Sequence, residues 1–354
     1  MRERLLEDLL WFLERPSVTG DEKGLCDDLE SRISGVPGWK MERVSNNLTV
    51  RRASPDASRE KLVLAGHLDT VPEPEGGLPV RVEAGRVYGR GASDMKAGDA
   101  VMLALLEDCL WETSWAEPVF VFYEREEGPY AENGLEKVFA RSPWVLDAAL
   151  ALCMEPTAGA LEVGCVGTAQ IEVTFRGHPA HSARPWQGEN AISAAGAFLD
   201  ELHERQVEEV VVEGLTFHEV LVPTMARGGR AKNVVPDEFW INVNHRFAPG
   251  KDLGDVRRVF AELLEGRADY EVADYAPSGP VELGNPLLGR FIQTGLEVRP
   301  KQAWTDVARF TERGVPAANF GPGLPSQAHQ RAEFAELPLL EWCYERLGTF
   351  LRHN

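Results

Sequence analysis

The sequence predicts an α/β fold in which a mostly parallel central sheet is interrupted by a smaller α+β domain. Three observations point there. First, the runs at 62–65 (LVLA), 119–123 (VFVFY) and 148–154 (AALALCM) lack polar alternation, as strands covered on both faces of a parallel sheet do. Second, after Glu155 the pattern changes to alternating strands, with two helices among them. Third, from about Pro277 helix and short strand return. The simplest organisation is one domain over 1–167 and 276–354, with a second, ferredoxin-like domain inserted at 168–275.

Leu5, Leu6, Leu9, Leu10 and Leu13 share one helical face, predicting an amphipathic helix over 3–14 that Pro16 stops. Thr19 followed by Glu22 reads as a capping box for a second helix reaching about Ile33. A strand near 48–51 precedes the strand in KLVLAGHLD at 61–69, and Ala84-Gly85 sits between the arms of a hairpin at 80–83 and 86–88. The glycine-rich stretch GRGASDMKAG at 89–98 leads into a helix from about Ala97 to Leu110, placing Asp94 just before an N-terminus, where an anion is favoured. Ser93 or Asp94 at that place is also the pattern of a plain N-cap, but the ligand-type residues at the other strand ends favour a functional Asp94.

In the inserted domain, 169–175, 209–212, 217–222, 239–247 and 270–275 read as strands, and 190–202 and 252–264 as helices. Beyond it, 286–297 and 334–352 read as helical and 317–320 as a strand, which ends in a loop carrying His329.

At 354 residues the chain is long enough for two domains and a large core. A formal charge of -19 argues against nucleic acid or an anionic membrane as partner, since both need a basic footprint. The five cysteines, Cys26, Cys109, Cys153, Cys165 and Cys343, form no C-x-x-C pair and read as buried thiols of a reducing compartment. The N-terminal leucines are interleaved with charges, unlike a signal peptide, and no apolar stretch approaches transmembrane length. A cytoplasmic protein is expected.

The chemistry-bearing residues stand where the apolar runs end. In parallel sheets, ligands bind beyond the carboxyl ends of the strands. A spacing of two puts His67 and Asp69 on one side of an extended chain, suiting a His that holds a metal and an Asp that holds the His. One His-x-Asp at a strand end is commonly no more than a polar loop, but the second run enters Glu124, Glu126 and Glu127 and the third enters Glu155. The candidates are therefore His67, Asp94, Glu127, Glu155 and His329, with Asp69 and Glu126 beside them. Imidazoles and carboxylates without thiolate suit Zn, Co or Mn. If Asp94 bridges, five ligands give each of two metals three protein contacts, with open positions for a shared water.

HLDTVP at 67–72, GRGASDMKAG, EREEG at 124–128, MEPT at 154–157 and AHQRAEF at 328–334 together resemble the M20 family of dinuclear zinc amidohydrolases and peptidases. The resemblance spans nearly the whole chain in the family's order. It implies a zinc-peptidase-like catalytic domain and an inserted lid and dimerisation domain. It puts His67 and Glu155 on one metal, Glu127 and His329 on the other, and Asp94 between them. Asp69 is then the orienter of His67 and Glu126 the general base.

The stretch GHPAHSARPWQGENAI is similar to the family's lid motif, which implies that His181, rather than His178, reaches the partner subunit's site in a homodimer and stabilises the oxyanion. RGGRAKNVVPDEFWINVNHRF also resembles the lid, with Asn233 and Arg246 at substrate-contacting positions and Arg246 as a carboxylate clamp. Arg227, Arg230 and Lys232 are weaker candidates. His203, His218, His245 and His353 read as surface or structural.

Within the family, AWTDVARF at 303–310 looks most like the desuccinylases that cleave N-succinyl-LL-2,6-diaminopimelate, although Trp304 and Thr305 depart from their G-T-S-D-x-R-F pattern. The substrate implied is thus a small N-acyl amino acid. Acetylornithine deacetylase or small-peptide carboxypeptidase activity remains the alternative. A silent metal- or metabolite-binding relative is also conceivable, but a retained Glu126 argues against it.

Overall fold

The computed structural model describes residues 1–108, 114–205 and 207–352. The expected helix end at Leu110, Cys109 and His353 lie outside the described residues. Packing divides the chain into two compact units: unit 1 comprises 1–164, 282–299 and 305–354, and unit 2 comprises 165–281 and 300–304.

Unit 1 opens with α1 (Arg2–Leu13) and α2 (Lys23–Ser34). The leucine face of α1 does turn inward: Leu5, Leu9, Phe12 and Leu13 are buried, each worth about 1.5–3 kcal/mol when fully removed from water. Then come β1 (Trp39–Val44), β2 (Asn47–Arg52), β3 (Glu60–His67), β4 (Arg81–Glu83), β5 (Arg86–Tyr88), α3 (Ala97–Glu107), β6 (Ala116–Tyr123), α4 (Leu135–Arg141), β7 (Leu150–Cys153) and β8 (Leu161–Val163).

Unit 2 contains β9 (Gly167–Arg176), α5 (Ala191–Ala194), α6 (Gly196–Glu204), β10 (Glu208–Val212), β11 (Leu215–Gly228), β12 (Glu238–Phe247), α7 (Leu253–Leu264) and β13 (Asp269–Ala276). The chain closes with α8 (Pro286–Ile292), β14 (Val298–Pro300), α9 (Val307–Glu312), β15 (Ala317–Asn319), β16 (Phe334–Glu336) and α10 (Leu337–Arg352). No helix among the described residues is long and apolar enough to cross a membrane.

The large sheet has the order β1-β2-β6-β3-β7-β15-β8-β14. Its centre, β6-β3-β7-β15, is parallel, and β1, β2 and β8 add antiparallel flanks. The three apolar runs are β3, β6 and β7, and every residue of β6 and β7 is buried. Their carboxyl ends therefore emerge side by side, with His67 opposite Tyr123 in the register.

Unit 2 is a five-stranded antiparallel sheet, β10-β11-β12-β9-β13. Ile171, Val173 and Phe175 of β9 and Ile241, Val243 and Phe247 of β12 line one face, where Phe198 and Leu202 of α6 and Val256 and Phe260 of α7 pack against them. The opposite face is polar, with Asn242 donating to Gln170 and Thr224.

Several boundaries differ from expectation for identifiable reasons. The expected helix at 190–202 is two helices: Asn190 caps α5, and the chain re-enters helix at Gly196. Residues 334–336 pair with β5 before α10 begins. Thr19 is not a helix cap: α2 starts at Lys23 without a side-chain cap, and the Thr19 hydroxyl is used elsewhere. Asp94 lies in a tight turn, at φ -121 and ψ 95, rather than capping α3.

Candidate metal centre

His67 is the last residue of β3 and is completely buried. Its Nδ1 lies 3.0 Å from the Asp69 carbonyl oxygen and 3.5 Å from Asp69 Oδ1. Its Nε2 lies 3.2 Å from Asp94 Oδ1 and 4.0 Å from Glu155 Oε1. On the other side of Asp94, His329 Nε2 stands 3.8 Å from Asp94 Oδ2 and 2.9 Å from Glu127 Oε1. Two triples of ligand atoms, His67/Asp94/Glu155 and Asp94/Glu127/His329, each converge within 4.8 Å and share Asp94. A third triple, His67/Glu126/Glu127, overlaps them.

Asp69 does more than face the imidazole. Oδ1 accepts the Glu126 N–H at 2.9 Å, and Oδ2 accepts the Glu127 N–H at 3.0 Å and the Thr19 hydroxyl at 2.9 Å. One buried carboxylate thus fixes both the end of β3 and the loop after β6. Burial pushes its pKa up, but His67, the Glu126 amide and Thr19 outweigh that and hold it below the ordinary carboxylate range.

For the His67 imidazole burial acts the other way and would lower the pKa; Asp69, Asp94 and the charge of Glu126 reverse this and carry it well above the usual value. Glu126 keeps some exposed surface while its carboxyl lies deep in the cluster. Burial raises its pKa well above the carboxylate range, His67 opposes this, and Glu155, Asp306 and Glu127 add to it. The His329 ring, bonded to Glu127, is also shifted upward.

Carboxylates this close repel one another unless a cation lies between them. Imidazole nitrogen and carboxylate oxygen are the donors that Zn, Co and Mn accept, and they converge here in two three-ligand sets. The residues present fit a pair of divalent cations.

Backbone crowding around the third strand end is tight. A Cβ at Gly98 or at Gly321 would collide with the Met154 carbonyl, just before Glu155. Sequence reasoning missed three other supports. Thr19, expected to cap α2, instead donates its hydroxyl to Asp69. Asp306, completely buried, accepts the Tyr123 hydroxyl at 2.7 Å and the Asn133 amide at 2.9 Å below the Glu126 loop. Glu333 collects donors from the Asp94 loop. The only hint to any of them was position: Tyr123 ends an apolar run, and Glu333 follows His329 by four residues.

The remaining candidates lie in unit 2. His181 is exposed; its Nδ1 accepts the Ala183 N–H at 3.0 Å, and it bridges to Val234. Asn233 is exposed and its carbonyl accepts the Ser182 N–H at 3.0 Å, so unit 2 brings these two segments together. Arg246, on β12, is half-buried, donates from Nε to Asn244 at 3.0 Å, and has no ion-pair partner among the described residues. Burial alone lowers its pKa. His178 pairs with Glu189 through its backbone, and His245 is a core residue at 4% exposure.

A parallel sheet and the turns beside its carboxyl ends bring imidazoles and carboxylates to one paired site, the donor set that metal-dependent hydrolases use. The sequence pattern of peptidase family M20/M25/M40 matches residues 63–353, and the chain belongs to that family. It is 39% identical over 334 residues to the succinyl-diaminopimelate desuccinylase of Corynebacterium glutamicum, covering 91% of this chain and 89% of that protein. A succinyl-diaminopimelate desuccinylase of Cereibacter sphaeroides is 29% identical, with 94% of each chain covered. Among solved structures, aminopeptidase PepT from Bacillus cereus superposes with a TM-score of 0.81 at 18% identity, over 99% of this chain and 98% of that one, which shows the shared fold.

Proposed function

We propose that this protein hydrolyses the amide of N-succinyl-LL-2,6-diaminopimelate, giving succinate and LL-2,6-diaminopimelate. The observation that carries the reading is the pair of three-ligand sets sharing Asp94 beside Glu126, in a chain so similar to the C. glutamicum desuccinylase. His67, Asp94 and Glu155 would hold one divalent cation and Asp94, Glu127 and His329 the other, with Zn the first choice and Co or Mn alternatives. When bound, the cations supply Lewis-acid polarisation of the scissile carbonyl and lower the pKa of water.

Glu126 takes a proton from the attacking water as its oxygen bonds to the carbonyl carbon. It then delivers that proton to the amine nitrogen as the C–N bond breaks. Asp69 keeps His67 and the Glu126–Glu127 amides in place. Unit 2 serves as lid and dimerisation domain: His181 donates to the oxyanion in trans, and Asn233 and Arg246 bind substrate. A half-buried guanidinium without an internal carboxylate suits an incoming one.

A homodimer is supported by the edge of β11. β10 pairs only with 215–219, leaving 220–228 without a neighbour on that side among the described residues, with Val222 and Met225 exposed. Such an edge is a template for another strand. Cys26, Cys153, Cys165 and Cys343 are buried thiols outside any disulfide, which fits the reducing cytoplasm.

The test is to add Zn back to the metal-free protein and follow hydrolysis of succinyl-diaminopimelate, acetylornithine and dipeptides. Turnover of the first substrate with up to two equivalents of Zn is expected. Preference for either of the others removes the substrate assignment, and a fully active monomer in sedimentation removes the role of His181 in trans.

A further inference from the structure

Glu333 has no part in the hydrolysis just described, yet few groups in unit 1 are better held. It is 1% exposed. Oε1 accepts the N–H groups of Ser93 at 2.9 Å and Asp94 at 3.1 Å. Oε2 accepts the Gly91 N–H at 2.9 Å and Arg90 Nη1 at 2.8 Å. An ionised carboxylate offers about four acceptor positions, and all of them are filled. Three of the donors are backbone amides of the turn that carries Asp94.

That turn belongs to no sheet and departs from helical geometry at Asp94 and Met95, so its amides need acceptors from elsewhere. They come from the segment that follows His329. Around the carboxylate the same seam is stitched by Gly89 N–H to the Glu333 carbonyl at 3.2 Å, Ser93 Oγ to the Phe334 carbonyl at 2.7 Å and Arg90 Nη1 to the Gln330 carbonyl at 3.3 Å. It runs on into the β5–β16 pairing, where Phe334 faces Tyr88. Asp94 and His329, the two ligands this seam delivers, face each other at 3.8 Å.

We infer that Glu333 is a positioning residue for the two-cation centre: by taking the amides of Gly91, Ser93 and Asp94 it locks the Asp94 turn to the segment that follows His329, setting the gap between those two candidate ligands. The inference rests on the metal reading proposed above. Glu333→Gln keeps the size of the side chain but turns an NH2 group toward donors, so the seam must open. Loss of such a supporting hydrogen bond costs about 10–100-fold in metal affinity.

Metal-free full-length protein is titrated with Zn2+ by calorimetry, and with Co2+ while the visible absorption is followed. Expected are two Zn2+ in the unmutated chain, and two in Glu333→Gln with the weaker one bound about 10–100-fold less tightly and a changed Co2+ spectrum. At limiting Zn2+ the variant's kcat falls and recovers as Zn2+ is raised, while KM holds. Glu333→Asp, one methylene shorter with its charge intact, recovers part of the affinity.

Wild-type affinity for both ions in Glu333→Gln overturns the inference, whatever its thermal stability. Fewer than two Zn2+ in the unmutated chain overturns the metal reading and the inference with it, and is told apart because no mutation is involved. Should Glu333→Gln not fold, Arg90→Met decides. It removes one of the four donors, so a weakening of a few fold supports the role and unchanged affinity overturns it.

Discussion

His67 and Asp69, at the end of β3 in unit 1, and His181 and Asn233, on the loops after β9 and β11 in unit 2, are similar side chains held very differently. His67 and Asp69 are completely buried, and both His67 ring nitrogens and both Asp69 carboxylate oxygens have partners within unit 1. His181 is exposed and its ring takes one backbone N–H; Asn233 is exposed and offers its carbonyl. Carboxylates gathered to share cations repel one another beforehand, so every support has to be built in advance. A single hydrogen-bond donor has no such repulsion to overcome and can stand on an open loop.

The largest effect that would sharpen this contrast is at Glu126. Glu126→Gln keeps the Glu126 N–H bond to Asp69 and should retain two Zn2+ while kcat drops about 10²–10⁴-fold. Near-normal turnover in the metal-loaded variant would remove Glu126 from the role of base and assign the proton transfer to another group of the cluster.

The next effect is in unit 2 and concerns stability. Burial holds the His245 imidazole down to about 4; Glu219 pulls it up, and Lys251 and Arg205 push it lower. Its Nδ1 has no hydrogen-bond partner among the described residues. A pKa depressed on folding means the unfolded chain binds the proton first as pH falls. The contribution of a neutral His245 is therefore whole above about pH 6.5, is lost between there and about 4, and then levels off. Two to three pKa units amount to about 3 kcal/mol. His245→Leu should lose less stability than the wild type over that interval in denaturant titrations; parallel curves would show that the acid sensitivity of unit 2 lies elsewhere.

The smallest is Thr19→Val, which deletes one of three donors to Asp69 and should cost about 0.5–1.5 kcal/mol. A loss of metal affinity much beyond tenfold would mean that Thr19 carries more of the site than Asp69's remaining amide bonds do.

The ligand-bearing strands were legible because a strand buried on both faces can have no polar residue until it leaves the sheet, so LVLAGH, VFVFY and ALALCM announce their own ends. The helical faces of α1 and α7 were legible for a similar reason, since burial of one stripe leaves a period in the sequence. β1 was missed because five of its six residues are only half-buried and one is exposed, so no alternation records it. Thr19 and Glu22 show where local reading fails. Their spacing satisfies a capping box, but the Thr19 hydroxyl found Asp69, a partner fifty residues away in sequence. Glu333 was invisible in the same way, because its donors lie about 240 residues upstream. Long-range hydrogen bonds leave no period and no spacing. In unit 2 the strands alternated clearly, whereas the exposed loops of His181 and Asn233 carried no physical pattern apart from a family resemblance.

The pressure of Gly98 and Gly321 on the Met154 carbonyl has a consequence for anyone wishing to transplant this site. A grafted set of seven chemistry-bearing side chains would be incomplete, because Glu155 reaches its place only where two neighbouring segments carry hydrogen instead of a methyl. The blueprint has to specify emptiness at those two positions as firmly as it specifies histidine and carboxylate.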